Sequence, residues 1–310
     1  MAVVVALVAV AAIAAVAGVV LSRSDPDPPS AVEVVVADAA FPVGLAALGD
    51  GGFRYGERVT GRIREVTAAG RLLPAPVAVV AVRASPGQRG LLGVAVDRRD
   101  RTYAAWTRRG DGRLVVGQVA PGPARLVWRG PPSTDLANGG HLVSAPDGDL
   151  VIGVGDLQDR AALDDPDAPN GKLLALDPDG PADQRPRALS AGWNNPFAFT
   201  FLPDGSLWVA DNAPGRQPER IGRGDRSRPR VELGGRRAPA ALVALGPGRL
   251  GVCGVLDPVV RAVDVDVDGH GPGPPGRPLA TPCSLGAVAL ADGRIVLATE
   301  DSLGVWSPDR

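Results

Sequence analysis

Aromatic residues are scarce in this 310-residue chain, at 4%, and histidine and cysteine are rarer still, with two of each. Neither sign of charge predominates: 33 Lys and Arg stand against 34 Asp and Glu, a formal net charge of -1. Each shortage excludes something. Without an excess of positive charge there is no phosphate-neutralising footprint, so nucleic acid is not an expected partner. Without aromatics there is no broad stacking platform for a polysaccharide or a single strand. The basic residues are almost all Arg, which together with abundant Ala, Gly, Pro, Val and Asp reflects coding bias and carries no functional weight. Helical periodicity is lacking too, since beyond the N-terminus no stretch repeats apolar residues at i, i+3, i+4 and i+7. What remains is a 45% hydrophobic content, enough to fill the core of one large all-β domain or of two ordinary ones.

One long apolar run opens the chain. Residues 2–21 carry no charge and have about the length that spans a hydrocarbon core as a helix. The basic start and shorter apolar region of a cleaved signal peptide are both missing, so an uncleaved membrane anchor is expected, with secretion as the outcome if it is cleaved. The cation nearest the run, Arg23, sits beside Asp25 and Asp27, so charge bias says little about orientation. No cysteine follows the run, which excludes a lipidated N-terminus. Residues 22–37 contain SDPDPPS, a Pro-stiffened spacer expected to lift a domain spanning 38–310 off the outer, extracytoplasmic side of the membrane. Cys253 and Cys283 fit that compartment as one disulfide, or are two separate buried thiols.

After residue 37 a single unit recurs: an apolar strand, a Pro-Asp-Gly-like turn and a second apolar strand. It reads GLAALGDGGFRYGER near 44, GVAVDRRDRTYAAWT near 93, LVSAPDGDLVIGVGD at 142, FTFLPDGSLWVADN at 199, LVALGPGRLGVCGV at 242 and AVALADGRIVLATE at 287. The spacing of roughly 43 to 57 residues is that of a four-stranded propeller blade. Six units predict an all-β, six-bladed β-propeller behind an N-terminal hydrophobic helix. Two β-sandwiches are the alternative, but they give no reason for one hairpin signature at a steady interval. A blade cannot bury both faces alone, so the sheets must stack until the ring closes, and Gly-rich inner strands suit a crowded channel.

Four ordered segments between Phe41 and Gly224 resemble the glucose/sorbosone dehydrogenase family, the soluble pyrroloquinoline-quinone (PQQ) dependent aldose dehydrogenases. They are FPVGLAALGDGGFRYGERVTGRIREV, GQRGLLGVAVD, ANGGHLVSAPDGDLVIGVGD with NGKLLALDPDG, and GWNNPFAFTFLPDGSLWVADNAPGRQPERIGRG. The resemblance implies a six-bladed propeller with PQQ flat on one face, a His that takes the proton of a sugar hydroxyl, hydride transfer to the quinone, and a Ca2+ that polarises it. Carried over residue by residue, it assigns Gln88 to substrate and cofactor, Asp156 to the carboxylate behind the base, Asn194 and Asn195 to the cofactor, and the main-chain carbonyls of Ala213 and Pro214 to Ca2+, with Glu219 on the acidic position beyond. Trp193, which precedes the two asparagines, is a candidate substrate contact or an inter-blade packing residue.

Two positions depart from the pattern. The family's base His is Ala137 here, and the Arg that pairs with a PQQ carboxylate is Asn194, which offers a hydrogen bond and no charge. The basic pair of the family's last blades has no match in DSLGVWSPDR. His141, four residues past Ala137, is the candidate replacement base, against a reading as a sheet or channel-lining histidine. His270 lies in the loop DGHGPGPPGRP with no nucleophile or metal-ligand constellation around it. Asp164, Asp165 and Asp167 in DDPDAPNG could hold Ca2+ at a blade edge, though they lack EF-hand spacing and read more simply as a solvated loop. Asp264, Asp266 and Asp268 alternate with Val as in a strand with one wet face. Two functions follow as expectations: a membrane-tethered PQQ-dependent dehydrogenase acting on an aldose or related alcohol, or a degenerate propeller kept as a binding or scaffold module.

Overall fold

A computed structural model describes residues 28–215, 217–226, 230–265 and 275–308 of the chain. The apolar run at 2–21, and with it the expected hydrophobic helix, lies outside them, as do Asp266, Asp268 and His270. Among the described residues no helix is long and apolar enough to cross a membrane.

Six antiparallel sheets follow one another along the chain. Blade one comprises Pro42–Ala47, Phe53–Glu57, Arg62–Val66 and Ala78–Val79; blade two Leu91–Val96, Thr102–Thr107, Arg113–Val119 and Arg125–Pro132; blade three Gly139–Ser144, Leu150–Val154, Lys172–Leu176 and Arg187–Ala191. Blade four comprises Ala198–Phe201, Leu207–Asp211, Arg220–Arg223 and Arg230–Glu232; blade five Pro239–Gly246, Arg249–Gly254, Asp257–Asp264 and Pro278–Thr281. Blade six takes Gly286–Ala289, Ile295–Ala298 and Leu303–Trp306 from the C-terminus. The six repeated hairpins are the two innermost strands of the six blades, and each inner strand adjoins the next around a closed ring.

The fourth strand of blade six is Glu33–Val36, which pairs antiparallel with Leu303–Trp306, placing Glu33 opposite Val305. Ser30–Ala31 adds a parallel fifth strand to blade five. The expected spacer at 22–37 is thereby corrected: from residue 30 the chain is part of the sheet. The reason lies in AVEVVVAD, whose β-branched run has strand character and covers an edge that would otherwise offer a row of unpaired backbone groups.

Between each pair of neighbouring blades lies one apolar cluster, six in all. Tyr103, Trp128 and Ile152 fill the seam between blades two and three, and Trp193, Phe199 and Leu207 the seam between three and four. Burial of these side chains between sheets, at about 1.5–3 kcal/mol each, is what drives the ring together. The inner strands approach closely enough to need glycine. A Cβ on Gly44, whose φ is +55°, would lie 2.3 Å from the Val94 nitrogen of blade two. Cys253, in the second strand of blade five, is disulfide-bonded to Cys283, in the connector to blade six, with Cα atoms 5.9 Å apart.

Candidate functional site

Every blade contributes to a cavity of about 230 Å³ at the mouth of the central channel. It opens where first strands begin and second strands end. The start of a first strand, or the connector before it, supplies Phe41, Gln88, Gly139, Phe197, Pro239 and Leu285. The residue just past a second strand supplies Arg58 from blade one, Asn212 from blade four and Val255 from blade five.

The Asn-Gly-Gly-His corner forms the blade-three wall. Ala137 has a φ of 54°, a left-handed conformation that costs a non-glycine residue about 1 kcal/mol or more. It is held there from both sides: its N–H donates to Gln88 Oε1 at 2.9 Å, and its carbonyl accepts Leu157 N–H at 3.1 Å. Asn138, 1% exposed, accepts Thr134 N–H at 2.8 Å and donates to the carbonyls of Thr134 and Gln88 at 2.7 and 3.3 Å. Gln88 is thereby fixed at the cavity edge.

Asp156 is buried beside this corner. Its carboxylate accepts Gln158 N–H at 2.9 Å and the Asn194 side-chain amide at 2.6 Å, while its own N–H donates to the Asn194 carbonyl at 2.7 Å. The Asn194 side chain is therefore turned onto Asp156 and is not among the residues lining the cavity. Asn195 does line the cavity, and its Oδ1 accepts Gly139 N–H at 3.0 Å. The turn carrying both asparagines rests on Asp211, which is 0% exposed. Its carboxylate accepts Asn194 N–H at 2.9 and 3.1 Å and Asn195 N–H at 2.9 Å, and it is ion-paired with Arg220. Burial pushes the Asp211 carboxyl above the usual range, against the pull of Arg220 and the two N–H groups.

Trp193 and His141, two further expected site residues, lie outside the cavity wall. Trp193 is 0% exposed, donates from Nε1 to Ser190 Oγ at 2.8 Å and lies under the Arg230 guanidinium, 3.7 Å from the ring centroid, within the core between blades three and four. His141 lies deeper than the cavity, in the narrow channel beside Gly44, Ala241 and Gly286. Its Nε2 faces the Phe199 carbonyl at 3.2 Å and its ring meets Phe199 edge-on at 4.6 Å. A carbonyl only accepts, so Nε2 carries the hydrogen. Burial depresses the His141 pKa to about 4, against a small rise from that hydrogen bond, so the ring is neutral at pH 7. It is not among the residues that line the cavity.

In the blade-four loop the two carbonyls expected to face a cation belong to Ala213 and Pro214. The Pro214 carbonyl accepts Gln217 N–H at 3.1 Å, and Ala213 is buried. Glu219, 3% exposed, accepts Arg237 N–H and Ala238 N–H, each at 2.8 Å, so its carboxylate shapes the neighbouring corner. Among the described residues no group of three His, Cys, Asp or Glu side chains could hold a metal ion. At the blade-three edge, the acidic loop read chiefly as a solvated one is clamped by Lys172. Its Nζ donates to the carbonyls of Asp165 at 2.8 Å, Pro166 at 2.9 Å and Ala168.

PQQ, as the resemblance implies it, carries several carboxylates and works beside a protein base and a hard cation. The described cavity wall offers one cation, Arg58, and no base, and Asn194 is engaged elsewhere. This donor set does not fit the group as the family is expected to hold it. Arg58, Asn212, Asp211 and Phe197 were missed in the sequence. The signal for the first two was present, since each follows the last residue of its blade's second hairpin strand.

Comparison with known proteins places this geometry. A family profile described as Glucose / Sorbosone dehydrogenase matches residues 39–219. An oxidoreductase assigned as a glucose dehydrogenase from Thermus thermophilus is 25% identical, with a TM-score of 0.74 over 89% of this chain and 99% of that one. The PQQ-bound form of aldose sugar dehydrogenase from Streptomyces coelicolor shares the fold at 20% identity and a TM-score of 0.68, over 91% and 99% of the two chains. So does the apo form of the soluble aldose sugar dehydrogenase from Escherichia coli, at 22% identity and a TM-score of 0.71, over 89% and 99%. No curated protein matches the chain in sequence.

Proposed function

The chain belongs to the glucose/sorbosone dehydrogenase family, and from that premise we propose that it is a binding member, holding a small sugar or related alcohol at the propeller mouth without oxidising it. One observation carries this reading: among the described residues of the cavity wall, the sole ionisable side chain is Arg58. A guanidinium stays protonated at neutral pH and cannot accept a proton. Oxidation of a carbinol needs a base within hydrogen-bond reach of the hydroxyl, and position 137, where the family resemblance puts it, is alanine. Gln88, Asn195 and Asn212 supply hydrogen-bonding groups for hydroxyls, and Phe41, Phe197 and Leu285 an apolar floor.

Calorimetric titration with a sugar panel, run beside dye reduction in the presence of PQQ and Ca2+, tests this. Saturable sugar binding without dye reduction is expected, and turnover by the unaltered protein would falsify it. The second reading is PQQ- and Ca2+-dependent oxidation of an aldose or related alcohol. It is favoured by the meeting of Gln88, Asp156 and Asn195 around one corner, and by a PQQ-bound protein among its structural neighbours. Under that reading Ala137→His gains dye reduction with bound PQQ; a variant that binds PQQ and stays inactive counts against it.

The propeller is further proposed to be tethered outside the cytoplasm. The apolar run at 2–21 and the Cys253–Cys283 bond support this. A C-terminal reporter active only in the cytoplasm would overturn it.

A further inference from the structure

We propose that Arg58 is the carboxylate-binding residue of this cavity, so that the ligand it selects is a sugar acid rather than a neutral sugar. The proposal rests on the binding reading above and narrows its ligand class. The Arg58 guanidinium lies over the Phe41 ring, 4.2 Å from the centroid. Its Nη1 donates to the carbonyls of Gly87 at 3.0 Å and Arg89 at 3.2 Å. Three groups therefore fix the plane of the fork, while its buried Nε has no hydrogen-bond partner among the described residues.

Two arginines of neighbouring corners are ion-paired. Arg89 pairs with Asp135 at 2.9 Å, and Arg220 is paired with Asp211. Arg58 has no such partner: among the described residues no carboxylate forms an ion pair with it, and exposed Glu300 acts on it only through space. Burial accordingly pulls its pKa below the ordinary arginine value. An immobilised, partly desolvated cation without a counter-charge is costly, and a ligand that brings the counter-charge relieves that cost. A planar, pre-oriented fork matches a carboxylate in geometry as well as charge. Among the described residues of the cavity wall no carboxylate competes for it. Gln88, Asn195 and Asn212 line the same space and carry amide groups that suit hydroxyls on the remainder of the ligand.

A carboxylate could come from a sugar acid or from PQQ, and the test separates them. The full chain in detergent is titrated calorimetrically with gluconate, galacturonate, glucose and PQQ, in parallel with Arg58→Gln and Arg58→Lys. The two acids are expected to bind at least about tenfold more tightly than glucose. Arg58→Gln is expected to weaken them about 10- to 100-fold, as loss of a charge-assisted hydrogen bond does, and to change glucose binding little. Arg58→Lys should keep part of the preference for acids. A purely structural role would lower all affinities together. Should Arg58→Gln not fold, as its unfolding midpoint would reveal, the salt dependence of the unaltered protein decides. Affinity for the acids must fall with ionic strength and affinity for glucose must not. Glucose bound as tightly as gluconate overturns the proposal and leaves the binding reading intact, whereas no sugar or sugar acid bound overturns both. If PQQ alone binds and depends on Arg58, carboxylate binding stands and the sugar-acid assignment falls.

Discussion

A carboxylate as deeply buried as Asp211 tolerates little loss of its partners, because Arg220 and two main-chain N–H groups would each lose their acceptor. Asp211→Ala is expected to cost about 3–5 kcal/mol in urea unfolding, the range for breaking a buried ion pair, and to loosen the Asn194–Asn195 turn with it. A variant within about 1 kcal/mol of the unaltered protein would show that the turn is held by its other contacts. His141 sets a pH dependence of definite sign. Its folded pKa of about 4 lies below the ordinary value of 6.5, so the unfolded chain takes up its proton first as pH falls. The stability linked to it is complete above pH 6.5 and is lost progressively as pH drops toward 4, about 3 kcal/mol in all. His141→Phe should remove that component, so the difference in melting temperature between variant and unaltered protein should narrow or reverse between about pH 7 and pH 4.5. A constant difference would mean that the imidazole is solvated in the channel.

At the scale of the strand, close approach of backbones is the sharpest constraint. Gly44→Ala puts a Cβ 2.3 Å from the Val94 nitrogen at a φ of +55°, and main chain on both sides cannot rotate away as a side chain could. A loss of about 2 kcal/mol or more in chemical unfolding is expected. A neutral result would mean that blades one and two slide apart at little cost. The hairpins were legible because a strand, a Pro-Asp-Gly turn and another strand are local features, repeated six times. Glu33–Val36 was not: its partner Leu303–Trp306 lies at the other end of the sequence, and a Pro-rich neighbour made the segment read as spacer. The partners of Trp193 and Asn194 were not legible for a related reason. Motif position placed these two residues beside a cofactor, while Ser190, Arg230 and Asp156, which occupy them, are brought near only by folding. The missing base at Ala137 needed no structure to be seen.

For the whole ring, stability depends on six seams, each filled by one apolar cluster, and on the covalent link across the seam between blades five and six. Cys253 and Cys283 are separated by 30 residues, and chain entropy for a loop of that size corresponds to about 3–4 kcal/mol. The double Ser variant should therefore unfold at clearly lower denaturant, and adding reductant to the unaltered protein should approach the same midpoint. If reductant has no effect at equilibrium, the bond contributes nothing to the fold. The antiparallel seam between Glu33 and Val305 also imposes an order on biosynthesis. A strand made near the start of translation has no sheet to join until nearly the whole chain has followed it. At about 5–20 residues per second that wait is on the order of tens of seconds. During it blade six does not exist and residues 33–36 are open to a chaperone or to a wrong edge, so the ring cannot close before Leu303–Trp306 has been made.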